Sequence, residues 1–260
     1  LFGLIHFVFF SPEDLSIIKN GPAERRHFLD SELCQLDKVY LYQLSNYNKV
    51  VLQRNKLLKE LYLHPDYREV LDVLDMQLVQ YGSALIQRRQ TFAEELGEIV
   101  HRIHSQLSGG QEEMELKYEP NVTEDAFAQM LFANRERDMR LKTTATGPHR
   151  DDISFVVNGV DIRKFGSQGQ QRTAALSLKL SEIELVKRLI GDTPVLLLDD
   201  VLSELDSGRQ NYLLNSIENI QTLITCTGLD EFVNHRFSIN RIYKVTDGSV
   251  TVENKQEADR

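Results

Sequence analysis

Two adjacent carboxylates, Asp199 and Asp200, follow the apolar run of residues 195–198. The run is typical of a short buried strand, and binding sites in open α/β sheets lie beyond the carboxyl ends of such strands. Carboxylates at that edge can hold Mg²⁺ and orient an attacking water molecule. Ser203 and Asp206 follow closely in the sequence. The spacing therefore places several polar side chains beyond one end of a predicted strand.

The segment Gly166-Ser167-Gln168-Gly169-Gln170 contains a serine among glycine and amide residues. One predicted helix separates this segment from the strand. Unpaired N–H groups and the helix dipole make the start of a helix suitable for a phosphate. Such a loop alone is weak evidence, because loops commonly use glycine for turns. Combined with the Asp-Asp strand, it indicates a nucleoside triphosphate site of the ABC type.

Composition limits the classes of protein that these motifs could serve. The 260 residues are 41% hydrophobic, so the chain can bury a core and form one or two domains. The net charge of −9 argues against coating nucleic acid by overall charge, so a DNA contact would need a local patch or an assembled surface. Cys34 and Cys226 are too few for a disulfide framework or a zinc site, which favours a reducing cytosol.

The first ten residues are apolar but carry neither a basic leader nor a small-residue cleavage site. They are too short to span a bilayer, so we expect no membrane contact. Residues 5–10 are predicted to form a buried strand, after which Ser11 and Pro12 start a short helix. Because the chain does not begin with Met and its start resembles the middle of a sheet, we expect a fragment of a longer protein.

Two long apolar stripes predict a helical arm. Steps of three and four residues over residues 23–61 predict one amphipathic helix with a weak turn near Arg54, and residues 71–107 predict a second. The segment His64-Pro65-Asp66 separates them. The pattern is typical of an antiparallel helical hairpin whose arms reach roughly 50–60 Å at 1.5 Å per residue.

The rest of the chain alternates predicted strands and helices. Asn158-Gly159 is the strongest short hairpin signal, and the apolar residues of segment 169–190 predict a helix buried nearly all round. The other predicted elements are a strand or edge segment at 117–120, helices at 123–142 and from 206 to about 219, a strand at 222–227, a hairpin around Asp247-Gly248 and a frayed tail at 254–260.

Basic pairs could contact phosphate, although each also has a structural interpretation. Arg25-Arg26 and Arg88-Arg89 are of an exposed type, and a solvated helix face is the favoured interpretation over a DNA or nucleotide contact. His149 and Arg150 are equally compatible with anchoring their loop and with touching nucleotide or DNA.

Three segments together resemble bacterial RecF. They are Gly147-Pro148-His149-Arg150-Asp151-Asp152, the run 165–173 (FGSQGQQRT) and the run 198–206 (LDDVLSELD); the runs 12–14 (PED) and 25–30 (RRHFLD) resemble a further hallmark of that family. The match covers the whole chain in matching order, with Asn20 as a local departure where glycine is usual. We expect only a small backbone adjustment there.

The resemblance implies an α/β fold, namely an ABC/SMC-type ATPase head with an inserted helical-hairpin subdomain. The implied domains are residues 1–21 as the end of an N-terminal ATPase lobe, 22–120 as the helical arm, and 121–260 as the ATPase lobe with the signature, Walker B and D-loop motifs.

The resemblance also implies a role for each site residue. Asp199 would hold Mg²⁺ as the Walker B aspartate, and Asp200 would be the catalytic carboxylate that orients water. The signature residues would touch the ATP held by the other subunit, and the D-loop would lie across the same interface. The signature residues are Ser167, Gln168, Gly169 and Gln170, and those of the D-loop are Ser203 and Asp206. Thr227-Gly228 stands where transporter subunits carry a switch histidine, which argues against a transporter.

The implied function is ATP-dependent DNA binding in recombinational repair and replication, in the cytoplasm and as part of the DNA damage (SOS) response. A homodimer formed on ATP would bind double-stranded DNA and single-strand gaps, and would help RecR and RecO load the recombinase. Two alternatives stay open, namely a non-catalytic dimerisation and interaction fragment, and an SMC-like structural head, which the shortness of the helical insertion weakens.

No Gly-x4-Gly-Lys-[Ser/Thr] phosphate loop occurs in the sequence. That loop cradles the phosphates and supplies the lysine that meets them. In RecF it lies in an N-terminal lobe, which we expect to precede these residues. The chain by itself is therefore expected neither to hydrolyse ATP nor to bind it tightly, and ABC-type ATPase activity is expected once the lobe is present.

Overall fold

A computed structural model describes residues 5–60, 68–226 and 240–253. The strands in these ranges are β1 (Phe7–Phe10), β2 (Met114–Glu119), β3 (Asp152–Val157), β4 (Val160–Asp161), β5 (Val195–Asp199), β6 (Thr222–Thr225), β7 (Ile242–Thr246) and β8 (Ser249–Glu253). The α-helices are α1 (Leu15–Lys19), α2 (Pro22–Leu36), α3 (Lys38–Glu60), α4 (Arg68–Leu107), α5 (Phe127–Ala133), α6 (Arg135–Leu141), α7 (Ile162–Phe165), α8 (Gln168–Ile190) and α9 (Ser207–Ser216). Short 3₁₀ helices lie at Pro12–Asp14, Pro148–Arg150 and Leu202–Glu204.

A parallel sheet of order β1-β5-β6 carries the acidic motif. Phe10 pairs with Leu198, and Asp199 pairs with Thr225. Alternate side chains of β5 are buried, as the apolar run predicted, because this face of the sheet packs on the core. The carboxyl ends of all three strands therefore meet at the edge where Asp199 and Asp200 lie.

The helical arm is confirmed, with one correction to its first half. The prediction of a single helix over residues 23–61 with a turn near Arg54 is wrong. The chain breaks at Asp37, whose Oδ1 accepts hydrogen bonds from the N–H groups of Val39 and Tyr40 and so caps α3. Arg54 is a fully buried residue inside α3. The predicted turn at residues 64–66 lies outside the described ranges.

Helix α4 spans 40 residues and joins the arm to the head. It packs on α3, and its carboxyl-terminal half runs antiparallel to α8. Pairs along this contact join Arg102 to Glu184 and, near the other end of α8, Glu98 to Arg188. The last turn of α4 therefore lies beside the first half of α8, where His104 contacts Ser177.

The remaining elements include a second sheet of order β2-β3-β4 and a separate β7-β8 hairpin. The Asn158-Gly159 hairpin is confirmed, and both residues adopt the positive φ angles (48° and 79°) that such a turn needs. The helix predicted over residues 123–142 is interrupted, since α5 and α6 meet at Asn134. The predicted domain division stays a prediction, although β2 and β3 pair across the predicted boundary at residue 120.

Helix α8 is confirmed as a helix buried along most of its surface. It begins after Ser167 and ends at Gly191, which takes a left-handed conformation (φ 73°) that glycine adopts without strain. Among the described helices, none combines the length and apolar character needed to cross a membrane.

Candidate nucleotide site

Asp199 ends β5 with its side chain exposed at the carboxyl edge of the parallel sheet. The hydroxyl group of Thr225, on the neighbouring strand, donates a hydrogen bond to its Oδ1. In the described ranges, no group of three or more His, Cys, Asp or Glu side chains could form a metal site. A single accessible carboxylate still fits Mg²⁺, because this ion keeps several water ligands and commonly takes one or two carboxylates.

Asp200 adopts a left-handed backbone conformation with φ 50°. Its N–H donates to the carbonyl oxygen of Thr225 at 3.1 Å, and its own carbonyl accepts from the Ser203 hydroxyl at 2.8 Å. Aspartate and asparagine are among the few residues other than glycine that tolerate this conformation. The backbone of Asp200 is thus held between β6 and the next turn, and this fixes where its half-buried side chain starts.

The serine-containing loop forms a capped helix start. Ser167 Oγ accepts from the Gln170 N–H at 3.2 Å, and Gln170 Oε1 accepts from the Ser167 N–H at 3.0 Å, which is a capping box. Across the described structure, the N–H groups of Gln168 and Gly169 find no acceptor, and both residues are exposed. This helix start therefore presents two free N–H donors to an incoming anion.

Gly166, which the sequence analysis placed in the motif without giving it a role, determines how the chain enters this loop. A Cβ atom there would lie 2.5 Å from the carbonyl oxygen of Ile162. A Cβ on Gly169 would approach nothing closer than Ser167 Oγ, at 3.9 Å. The close backbone approach therefore requires glycine at position 166, whereas position 169 has room for a side chain.

The acidic turn after β5 is tied to the same helix. Asp206 caps α9 by accepting from the Arg209 N–H at 3.0 Å, and this hydrogen bond holds the pKa of Asp206 below its ordinary value. Arg209 pairs with the Asp206 carboxylate and also donates to Thr173 Oγ1 of α8 at 2.6 Å. The sequence analysis assigned no role to Arg209 or Thr173. The only sequence pattern that pointed to this contact was the position of Arg209, three residues after the capping Asp206.

Comparison with known proteins decides the family. The chain is 61% identical over 252 residues to the DNA replication and repair protein RecF of Agathobacter rectalis, covering 97% of this chain and 70% of that protein. RecF of Clostridium perfringens strain SM101 is 42% identical over 255 residues, again with 70% of its length covered. The chain belongs to the RecF family. No protein-family profile matches it.

Solved structures agree with the assignment to the RecF family. A structure of the recombination mediator protein RecF with ATP, from the RecFOR pathway, superposes with a TM-score of 0.88 at 36% identity, covering 97% of this chain and 69% of the other. The Smc head domain of Pyrococcus furiosus superposes with a TM-score of 0.50 at 14% identity over 95% of this chain and 61% of that one. The predicted ABC/SMC-type head fold is thereby confirmed.

Arg25 and Arg89 do not belong to exposed basic pairs, and that interpretation is wrong for both. Each side chain is only 2% exposed. Arg25 pairs with Asp152 at 2.6 Å, and Arg89 pairs with Asp151 at 2.9 Å and with Asp30 at 2.7 Å. A buried arginine needs such carboxylates as partners. Because the partners lie far away in the sequence, helical periodicity could not reveal that these arginines are buried.

Arg26 and Arg88, the other two members of the basic pairs, are partly exposed. Arg88 pairs with Asp37 at 3.3 Å, and Arg26 donates to the Asp151 carbonyl at 2.8 Å. Arg26 and Asp151 belong to two of the segments that carried the resemblance to RecF. Those segments, far apart in sequence, therefore meet in one polar network.

His149 contacts protein on both sides of its ring. Its Nε2 lies 2.9 Å from the Thr144 carbonyl and its Nδ1 lies 2.7 Å from the Tyr47 hydroxyl. Burial lowers the pKa of His149 to about 4, so the neutral ring donates from Nε2 to Thr144 and accepts from Tyr47. These contacts favour the loop-anchoring interpretation for His149. The adjacent Arg150 is exposed.

Proposed function

We propose that this chain acts in an ATP-dependent DNA-binding protein of recombinational repair, in which ATP joins two copies head to head. The observation that carries the proposal is the open start of α8, with its free N–H donors, in the same chain as the Asp199-Asp200 edge. The RecF relatives and the RecF structure solved with ATP support this assignment.

We assign the two motifs to opposite sides of each bound nucleotide, with the acidic motif from one copy and the serine-containing loop from the other. Asp199 would help hold the Mg²⁺ that screens the charge of the ATP phosphates, and Asp200 would orient the water that attacks them. Ser167 to Gln170 would meet the ATP of the second copy, with Ser203 and Asp206 beside them. Because Arg209 joins Asp206 to the signature helix, one copy would present its signature and D-loop as a single surface.

We further propose a cellular role that extends the replication and repair function named for the RecF relatives. The dimer would bind double-stranded DNA and single-strand gaps in the cytoplasm, and would work with RecR and RecO after DNA damage, including in the SOS response. With a net charge of −9, a DNA contact needs a local basic patch or a surface assembled from two copies. Arg88 and Arg150 stay candidate contacts, whereas buried Arg89 is withdrawn as one.

Activity in this proposal needs a phosphate-loop lobe. Experiments therefore use a lobe-restored protein, which we define as these 260 residues preceded by the N-terminal lobe of a RecF protein. The isolated 260 residues should bind Mg-ATP weakly in isothermal titration, because no residue in them supplies the phosphate loop. Micromolar affinity of the isolated chain would contradict that assignment.

The dimer itself is tested by a charge placed at the helix start. Lobe-restored Ser167→Arg should bind ATP as a monomer but fail to dimerise, because a bulky cation would occupy the place of the partner's phosphates. The matched control is Thr193→Arg, at an exposed turn before the opposite end of β5. Light scattering with Mg-ATP gives the mass of each. If Ser167→Arg dimerises as the control does, the signature assignment is wrong.

A further inference from the structure

A line of side chains joins the arm to the signature loop. His104, in the last turn of α4, is completely buried, and its Nε2 lies 3.1 Å from Glu112 Oε2. The other carboxylate oxygen of Glu112 accepts from Gln170 Nε2 at 2.9 Å. Gln170 in turn accepts the Ser167 N–H through its Oε1. The carboxylate of Glu112 therefore bridges the arm helix and the capping box of α8.

A second contact of His104 joins α4 directly to α8. His104 Nδ1 lies 3.0 Å from Ser177 Oγ, which is two turns further along α8 than Gln170. Burial lowers the pKa of His104, so the neutral ring donates from Nε2 to the Glu112 carboxylate. The Ser177 hydroxyl lies between His104 Nδ1 and the Thr173 carbonyl, to which it donates at 2.7 Å. The arm thus holds α8 at two points, through Glu112 and directly through Ser177.

Glu112 is itself held in place by the turn that follows α4. Its N–H donates to Ser108 Oγ at 3.2 Å, and Gly109 and Gly110 give the turn its two positive φ angles. Side chains on exposed turns usually lose rotamer freedom only at an entropic cost. Here the backbone contact and two side-chain partners fix a carboxylate that would otherwise be mobile.

We propose that Glu112 is a positioning residue for the signature loop. By holding the amide of Gln170, it keeps Gln170 Oε1 on the Ser167 N–H and keeps the first turn of α8 in the orientation that meets a triphosphate of a second copy. The inference rests on the proposed ATP-joined dimer. It also links the arm to that dimer, because a movement of α4 would move the signature loop with it.

The test compares Glu112→Ala and Glu112→Gln with the control Glu113→Ala, which changes the exposed neighbouring glutamate. In the lobe-restored protein, Glu112→Ala should weaken ATP-dependent dimerisation roughly tenfold, the change expected for one charged hydrogen bond. The affinity of the monomer for ATP should not change, because Glu112 does not belong to the site that holds the monomer's own nucleotide.

Glu112→Gln should restore dimerisation to within about twofold of the unchanged protein, since it can satisfy both partners. Its carbonyl would accept from Gln170 while its amide donates to His104 Nε2, with the His104 proton moved to Nδ1 and donated to Ser177. A purely electrostatic role of Glu112 predicts no such rescue. Dimerisation of Glu112→Ala equal to that of Glu113→Ala, or failure of the glutamine variant to rescue, overturns the proposal.

Hydrogen exchange on the 260-residue chain separates this inference from the proposed function. The backbone amides of Ser167 and Gln170, which are the hydrogen-bonded amides of the capping box, should exchange several-fold faster in Glu112→Ala than in Glu113→Ala, whether or not the lobe-restored protein dimerises. Gln170→Glu breaks the same link from its other end, by facing one carboxylate with another, and should give the same increase. Unchanged exchange in both variants contradicts the positioning role, whereas an unchanged protein that never dimerises with ATP contradicts only the proposed function.

Discussion

Asp200 shows why this position carries an aspartate. Its φ of 50° lies in the left-handed region, where aspartate and asparagine are tolerated far better than most side chains. The conformation also makes asparagine a clean probe, because the substitution removes the charge without straining the backbone.

In the lobe-restored protein, Asp200→Asn should keep ATP binding and slow hydrolysis. Losing one positioned base typically costs about 10²–10⁴ in rate. Asp199 stays in place for Mg²⁺, so the dimer should persist with ATP. Single-turnover hydrolysis and size exclusion measure the two effects. Turnover close to that of the unchanged protein would show that Asp200 is not the catalytic carboxylate.

His149 should make the stability of the chain depend on pH. Burial lowers its pKa from near 6.5 to about 4 in the folded protein, so the unfolded chain takes up the proton more readily. The stability from the neutral ring is present above pH 6.5 and is lost as the pH falls towards 4. Urea titrations should show the free energy of unfolding falling by about 1–3 kcal/mol across that window.

Replacing His149 by glutamine should remove much of this pH dependence. His27→Gln is the control, because its side chain is exposed. Equal pH dependence in the two variants would show that another group titrates in this window.

At the scale of elements, buried ion pairs hold the helical arm to the loop that precedes β3. Arg89 Nη1 donates to the Pro148 carbonyl at 2.6 Å as well as to Asp151. Asp151 is fully buried, so removing its partner would leave an uncompensated charge. These contacts give Pro148 and Asp151, which belong to the segment 147–152 that resembles RecF, a structural role.

Neighbouring arginines provide a matched test of this account. Arg89→Ala should cost about 3–5 kcal/mol of stability, because it strands a buried carboxylate. Arg88→Ala removes a partly exposed pair with Asp37 and should cost only about 0–1 kcal/mol. Chemical denaturation of both variants gives the comparison. Similar costs for the two substitutions would contradict the assigned burial.

Local chemistry determined which elements the sequence could predict. The all-round apolar helix α8, strand β5 and the Asn158-Gly159 turn follow from periodicity and turn preference, so all three were predicted. The break at Asp37 was missed because the apolar stripe continues across it and only a side-chain cap ends the helix. The links from Arg89 to Asp151 and from Glu112 to Gln170 join residues more than fifty positions apart, which no local pattern encodes.

At the scale of the whole molecule, one helix connects the parts that the proposed function uses. Helix α4 runs from the arm to the side of α8, whose first turn forms the proposed signature, and Arg209 joins α8 to the acidic turn after β5. The site residues were predicted from their resemblance to a family, and the structure adds the contacts that would make them act as one surface.

The central claim is that the signature of one copy completes the nucleotide site of the other. Its most direct test mixes lobe-restored Ser167→Arg with lobe-restored Asp200→Asn, each inactive in ATP hydrolysis alone. In a mixed dimer, one site carries both changes, while the other combines an intact Asp200 with an intact Ser167. Because the mixed dimer keeps one unblocked interface, it should form where Ser167→Arg alone does not, and up to about a quarter of the unchanged protein's activity should return with random pairing and independent sites. A mixture no more active than its two parents would contradict the claim.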